Sequence, residues 1–217
     1  MRPLAVLALA VLALAAPAPA ARAQETPKQE APKQETPAQE TPAPAPVPEK
    51  FELSLEAGGG VMTASRTIPE NLAGAKDLTR IAALLGSASL AETLAAPGPY
   101  TLFAPTDRAF DGAPKEVARL LGEAAFDPQT PQAARRIAAY HVAPGRLTAQ
   151  KLYEAVKAGG GEARLRTLDG EELSVRWTGV RLELVDARGA RARVITSDAI
   201  QKNGVIHVID AALSPKS

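Results

Sequence analysis

The stretch Tyr100-Thr-Leu-Phe-Ala-Pro-Thr-Asp-Arg-Ala-Phe110 changes character halfway along. Tyr100 to Ala104 is a compact β-prone run, and Pro105 stops it because proline has no N–H to give to a ladder. Thr106 or Asp107 then offers the short acceptor side chain that caps a helix start, where backbone N–H groups lack partners. Phe103 and Phe110 flank this turn and would anchor it by burial. A second stretch, Asn203-Gly-Val-Ile-His-Val-Ile-Asp210, reads as a strand introduced by Asn203-Gly204. Val205, His207 and Ile209 share one face and Ile206 and Val208 the other, so this strand is expected to be covered on both sides.

Working outward, the chain before and between these stretches has helical period. Asp77 is positioned to cap a helix whose Leu78, Ile81, Ala82, Leu84 and Leu85 form one apolar face. Leu90 and Leu94 repeat that logic in a short helix ended by Pro97-Gly98-Pro99. Lys115 to Gly122, with Val117, Leu120 and Leu121, reads as a further helix behind Pro114. Thr130-Pro131 opens another, running through Ile137 towards Tyr140, and Thr148 caps one that carries Leu152 and Val156 and closes at Gly159-Gly160-Gly161. The period then falls from 3.6 to 2. Leu173, Val175 and Trp177 alternate with polar residues, as do Val180, Leu182 and Leu184. Asp169-Gly170 is a two-residue hairpin signal joining a strand over Ala163–Leu168 to the next, and Thr178-Gly179 marks another turn. Val194-Ile195 and Val205 to Ile209 supply further strands. Helices first and strands afterwards imply an α+β fold, a group of short helices packed on a C-terminal antiparallel wedge.

Upstream, residues 1–23 have the form of a cleavable signal peptide. Arg2 is followed by an uncharged apolar run from Leu4 to Ala16, then Pro17 and Pro19, then Ala21-Arg22-Ala23 before Gln24. A run of about 13 residues is too short for a bilayer of roughly 30 Å. Residues 24–60 read as a disordered spacer rich in Pro, Glu and Gln that ends in a flexible joint at Gly58-Gly59-Gly60. Its near-absence of large apolar side chains cannot offset ordering entropy, and its spaced prolines favour extended polyproline-II structure. The folded domain is expected over 61–217, starting near Val61.

Composition narrows the function. There is no cysteine, which excludes disulfides, thiolate metal sites and lipid attachment at the cleavage site. A domain of roughly 150 residues is large enough to be held by its own core. With the two arginines of the leader set aside, 23 basic side chains face 24 acidic ones, a balance that argues against nucleic acid as partner. The basic cluster Arg188, Arg191, Arg193 reads as solvated surface beside a turn, and Glu171-Glu172 likewise. No Gly-x-Ser-x-Gly elbow or His-Glu-x-x-His motif is present, and the two histidines, His141 and His207, are both explained by fold motifs. No catalytic residue, metal site or cofactor is expected.

Three segments in order resemble a known family. Tyr100–Phe110 is similar to the first signature of the fasciclin (FAS1) domain, Tyr140-His141-Val142-Ala143-Pro144-Gly145 to its tyrosine-histidine motif, and Asn203–Asp210 to its second signature. Thr67-Ile68-Pro69-Glu70-Asn71 resembles the family's opening segment. The resemblance runs from about Arg66 to Pro215. It implies the FAS1 fold and a role in adhesion, and it makes Phe103, Pro105, Thr106, Asp107, Phe110, Asn203, Gly204 and His207 fold-defining. In animal members the tyrosine-histidine motif has been linked to integrin binding, which makes Tyr140 and His141 candidate contact residues. The alternative places both in the core, with the imidazole bonded to a carboxylate such as Asp107. The expected protein is thus a secreted or periplasmic, monomeric, non-enzymatic module. Its partner would be a cell-surface protein or an envelope polysaccharide. A second possibility is an envelope protein holding a lipid or other small apolar ligand in a crevice between helices and strands.

Overall fold

The computed structural model describes residues 54–113 and 131–216. The leader, the proline-rich segment, Phe51 and Leu53, the helix expected over 115–122 and the Thr130 cap lie outside the described residues.

The first elements are two short strands, β1 (Ser54–Ala57) and β2 (Gly60–Thr63), paired as an antiparallel hairpin. Gly58 and Gly59 connect them at φ 59° and 73°, backbone that glycine adopts without steric cost and that a tight hairpin turn requires. The glycine run expected to be a flexible joint is therefore a turn here, and ordered pairing begins ahead of Val61. Three short helices follow: α1 (Ile68–Leu72), α2 (Thr79–Ser87) and α3 (Leu90–Ala95). Then come β3 (Tyr100–Pro105), a 3-10 turn (Asp107–Phe110), α4 (Pro131–Tyr140), β4 (Val142–Pro144) and α5 (Ala149–Ala158). The last five are strands: β5 (Glu162–Arg166), β6 (Glu172–Thr178), β7 (Arg181–Val185), β8 (Arg191–Gln201) and β9 (Gly204–Ile209).

Strands β3 to β9 form one sheet in the order β4-β3-β9-β8-β7-β6-β5. The wedge expected to be antiparallel is mixed. Tyr100 to Pro105 pair in parallel with Gly204 to Ile209, residue for residue, while the other neighbours in this sheet are antiparallel. The physical reason is burial: a parallel pair is stable in the middle of a sheet covered on both faces, and every residue of β9 is buried. Gly204 permits this approach, because a Cβ there would strike the Tyr100 carbonyl oxygen.

The β3–β9 pair divides two cores. Leu102, Ala104, Ile206 and Val208 point to the helical side, against Ile81, Leu85, Leu94 and Ile137. Phe103 and Ile209 point the other way, into a core with Tyr140, Leu152, Val156, Leu173, Val175 and Leu184. The two-residue side-chain alternation of a strand is what serves both cores from one sheet.

Several local expectations shift. Asp77 does not cap α2, whose N-cap is Leu78. The Asp107 carboxylate does that work from the 3-10 turn that follows β3, accepting from the Arg80 amide at 2.9 Å and the Thr79 hydroxyl at 2.7 Å. Val180 sits in the β6–β7 turn rather than in a strand, since Thr178 pairs with Arg181. The strand expected over 163–168 ends at Arg166, and Asp169-Gly170 lies in a wider loop closed by Thr167 N–H to the Glu171 carbonyl at 2.9 Å.

Candidate functional site

The motif residues come first, because sequence points to them. Tyr140, the last residue of α4, is fully buried. Its hydroxyl donates to the Glu172 carbonyl at 3.0 Å and accepts from the Ala187 amide at 2.9 Å, and burial pushes its ionisation well above the usual tyrosine range. His141 is equally buried, and its ring bridges two backbone groups. Nε2 accepts from the Leu213 amide at 3.1 Å, so Nδ1 carries the proton and donates it to the Ile137 carbonyl at 2.7 Å. Desolvation lowers its pKa to about 4. Asp107, the carboxylate expected beside it, is engaged on α2 instead.

His207 is built the same way. Nδ1 accepts from the Asp198 amide at 3.3 Å, Nε2 donates to the Leu147 carbonyl at 2.7 Å, and burial lowers its pKa. Each imidazole thus spends its proton and its lone pair on the backbone. Neither retains a lone pair to take a proton from a substrate or to bind a metal. Among the described residues, no group of three or more His, Asp and Glu could hold a metal ion.

The remaining motif residues also face inward. The Thr106 hydroxyl caps the 3-10 turn by accepting from the Ala109 amide at 3.2 Å. Phe110 is buried, with the Arg80 guanidinium 5.4 Å above its ring, and Phe103 is buried beside His207. Pro105 closes β3. The Asn203 side chain accepts from the Ile68 amide at 3.0 Å and donates to the carbonyls of Leu94 and Ala96. It thereby joins the start of α1 to the end of α3. The structure brings Phe103, Tyr140, His141 and His207 into or beside one core and leaves none of the four on the surface.

An exposed apolar surface lies elsewhere. Tyr153 of α5 and Trp177 of β6 meet edge to face with ring centroids 5.1 Å apart. Tyr153 is 44% exposed, Ile195 52% and Val180 85%. The indole N–H donates to the Gly179 carbonyl at 2.7 Å, which fixes the ring over the turn. Next to it β7 and β8 part. They pair from Glu183↔Arg193 to Val185↔Arg191, and β8 then continues along β9. The gap is a depression of about 370 Å³ lined by Trp177, Val180, Arg181, Leu182 and Ile195. Arg181, one of the lining residues, is exposed. Alternation puts Trp177 on the side of Leu173 and Val175, and its ring does pack partly against their core; what the sequence reading missed is that Tyr153, Val180 and Ile195 stay open beside it. One signal was available: a β-branched residue after Thr178-Gly179 falls in a turn, where no core can cover it.

The sequence profile described as "Fasciclin domain" matches residues 76–215. Protein sll1483 of Synechocystis sp. is 32% identical over 77% of this chain and 83% of its own length. Human periostin is 29% identical over 71% of this chain but only 17% of its own length, so that protein extends far beyond the shared region. Among solved structures, the FAS1 domain pair from the insect cell adhesion molecule fasciclin I aligns with a TM-score of 0.58. That alignment has 19% identity and covers 74% of this chain and 62% of that one.

Proposed function

Because this chain belongs to the fasciclin domain family and has the FAS1 fold, we propose that it is a non-enzymatic interaction module working at the cell envelope or in the extracellular matrix. The observation that carries this reading is the exposed Tyr153, Val180 and Ile195 grouped around the half-buried Trp177, whose ring Tyr153 meets edge to face. Aromatic side chains held rigid at a surface bring large apolar area at small entropic cost, and such residues dominate recognition energies. The exposed Arg181 suits a partner with acidic groups, a surface protein or an envelope polysaccharide. Two further observations support binding over reaction. The histidines are occupied by backbone bonds, and the solved relative is described as a cell adhesion molecule. The leader read in residues 1–23 fits export to that location.

The test is crosslinking of purified 24–217 to envelope fractions, with identification of what is captured. Saturable capture by the parent chain, reduced at least tenfold in Val180→Asp, supports the proposal. Capture that ignores Val180→Asp, or none from any fraction, opposes it.

A further inference from the structure

A second concave feature lies on another part of the molecule, beside the β8–β9 turn. It is a groove of about 510 Å³, within the range of small-molecule sites. Its floor is the exposed strip Ala95, Ala96, Pro97 and Pro99, and Arg146 and Lys202 stand along its side. The floor is held by bonds from several elements. The Asn203 side chain grips the Ala96 carbonyl at 3.1 Å, Tyr100 N–H donates to the Asn203 carbonyl at 3.0 Å, and Gly145 N–H donates to the Pro99 carbonyl at 2.8 Å. The groove is therefore preformed, which spares a ligand the cost of ordering it.

The charges are unevenly placed. The Arg146 Nη2 donates to the carbonyls of Gln201 at 3.0 Å and Lys202 at 3.2 Å. That fixes the guanidinium over the turn and leaves Nε and Nη1 to donate elsewhere. Among the described residues, neither Arg146 nor Lys202 has a carboxylate within ion-pair distance. The acid nearby, Glu70, is occupied by the Thr67 amide at 2.7 Å and hydroxyl at 2.8 Å. Those hydrogen bonds, and then Lys202 and Arg66, hold its carboxyl below the usual range. Cationic charge dominates this rim, while the floor is aliphatic and offers no aromatic ring for stacking.

We propose that this groove binds a small amphipathic anion, an aliphatic chain ending in a carboxylate, with the chain along Ala95–Pro99 and the carboxylate between Arg146 and Lys202. The inference stands apart from the Tyr153–Trp177 surface.

Calorimetric titration of the purified chain with sodium laurate, kept below micelle formation, tests it. The expected result is saturable one-to-one binding, with 1-dodecanol (chain without charge) and acetate (charge without chain) at least tenfold weaker. Lys202→Gln changes an exposed side chain and should weaken laurate about tenfold or more, the loss typical of one charge-assisted hydrogen bond. Ala96→Trp fills the floor and should abolish binding, and Val180→Asp should leave it unchanged. Absence of saturable laurate binding, equal binding of 1-dodecanol, or indifference to both Lys202→Gln and Ala96→Trp overturns the proposal.

Discussion

Phe103 and His207 lie opposite each other in the parallel β3–β9 ladder, and their rings stack at 5.6 Å with planes 20° apart. The imidazole also bonds Leu147, just before α5, and Asp198, at the bend of β8. Asp198 has φ 60°, unusual for a residue with a side chain, and its carboxylate accepts from the Ala149 amide at 2.8 Å, at the first turn of α5. One stacked pair thus joins the sheet's centre to the helix that carries Tyr153.

His207→Ala removes two buried hydrogen bonds and leaves a void against Phe103. It should lower unfolding free energy by about 2–4 kcal/mol. Phe103→Ala should cost about 3–5 kcal/mol. Because the two touch, the double variant should lose less than the sum of the single losses. Urea denaturation of the three variants measures all of this, and strict additivity would contradict the stacking.

Acid should destabilise the protein before its carboxylates protonate. Both histidines have folded pKa values below the ordinary 6.5, His141 at about 4. As pH falls, the unfolded chain therefore takes up these protons first. Their contribution is complete above about pH 6.5 and is lost as pH falls below it, for His141 down to about 4, with a slope of up to about 1.4 kcal/mol per pH unit for each histidine. Urea midpoints at pH 7.5, 6.0 and 5.0 should fall in that order. A flat profile would mean that the rings are free to charge in the fold.

The helix cap separates two neighbouring readings. Asp107→Ala removes the acceptor of the Arg80 amide and should cost about 1–2 kcal/mol. Asp77→Ala, at an exposed position outside the cap, should stay within about 0.5 kcal/mol. Thermal melts of the two variants decide it, and the reverse order would restore Asp77 as the cap.

Much of this was legible where the physics is local. Thr148 caps α5, accepting from the Lys151 amide at 3.4 Å, and Leu173 and Val175 face the core, as capping chemistry and two-residue alternation imply. The inward-facing Val205–Ile209 run was legible as a strand covered on both sides. Its direction was not, because Phe103 and His207 are 104 positions apart and nothing in either stretch encodes parallel pairing. The same distance problem hid Asp107, which caps a helix 28 residues earlier in the chain. Gly58-Gly59 shows a different limit: glycine permits both a loose joint and a tight turn, and only the partner strand decides between them. Alternation puts Trp177 on the core face and the ring is half-buried there, but alternation along one strand says nothing of Tyr153 on α5, which meets the ring, or of Val180 and Ile195, which remain open to solvent.

The central claim is that the signature residues build the interior while recognition belongs to the outer aromatic face. Envelope binding by Tyr140→Phe and Trp177→Ala, each first shown to be folded, tests it most directly. Tyr140→Phe should melt earlier, by about 1–3 kcal/mol for the unpaired Glu172 and Ala187 groups, and bind like the parent. Trp177→Ala should bind at least tenfold more weakly. Loss of binding in Tyr140→Phe with full binding in Trp177→Ala would contradict the account.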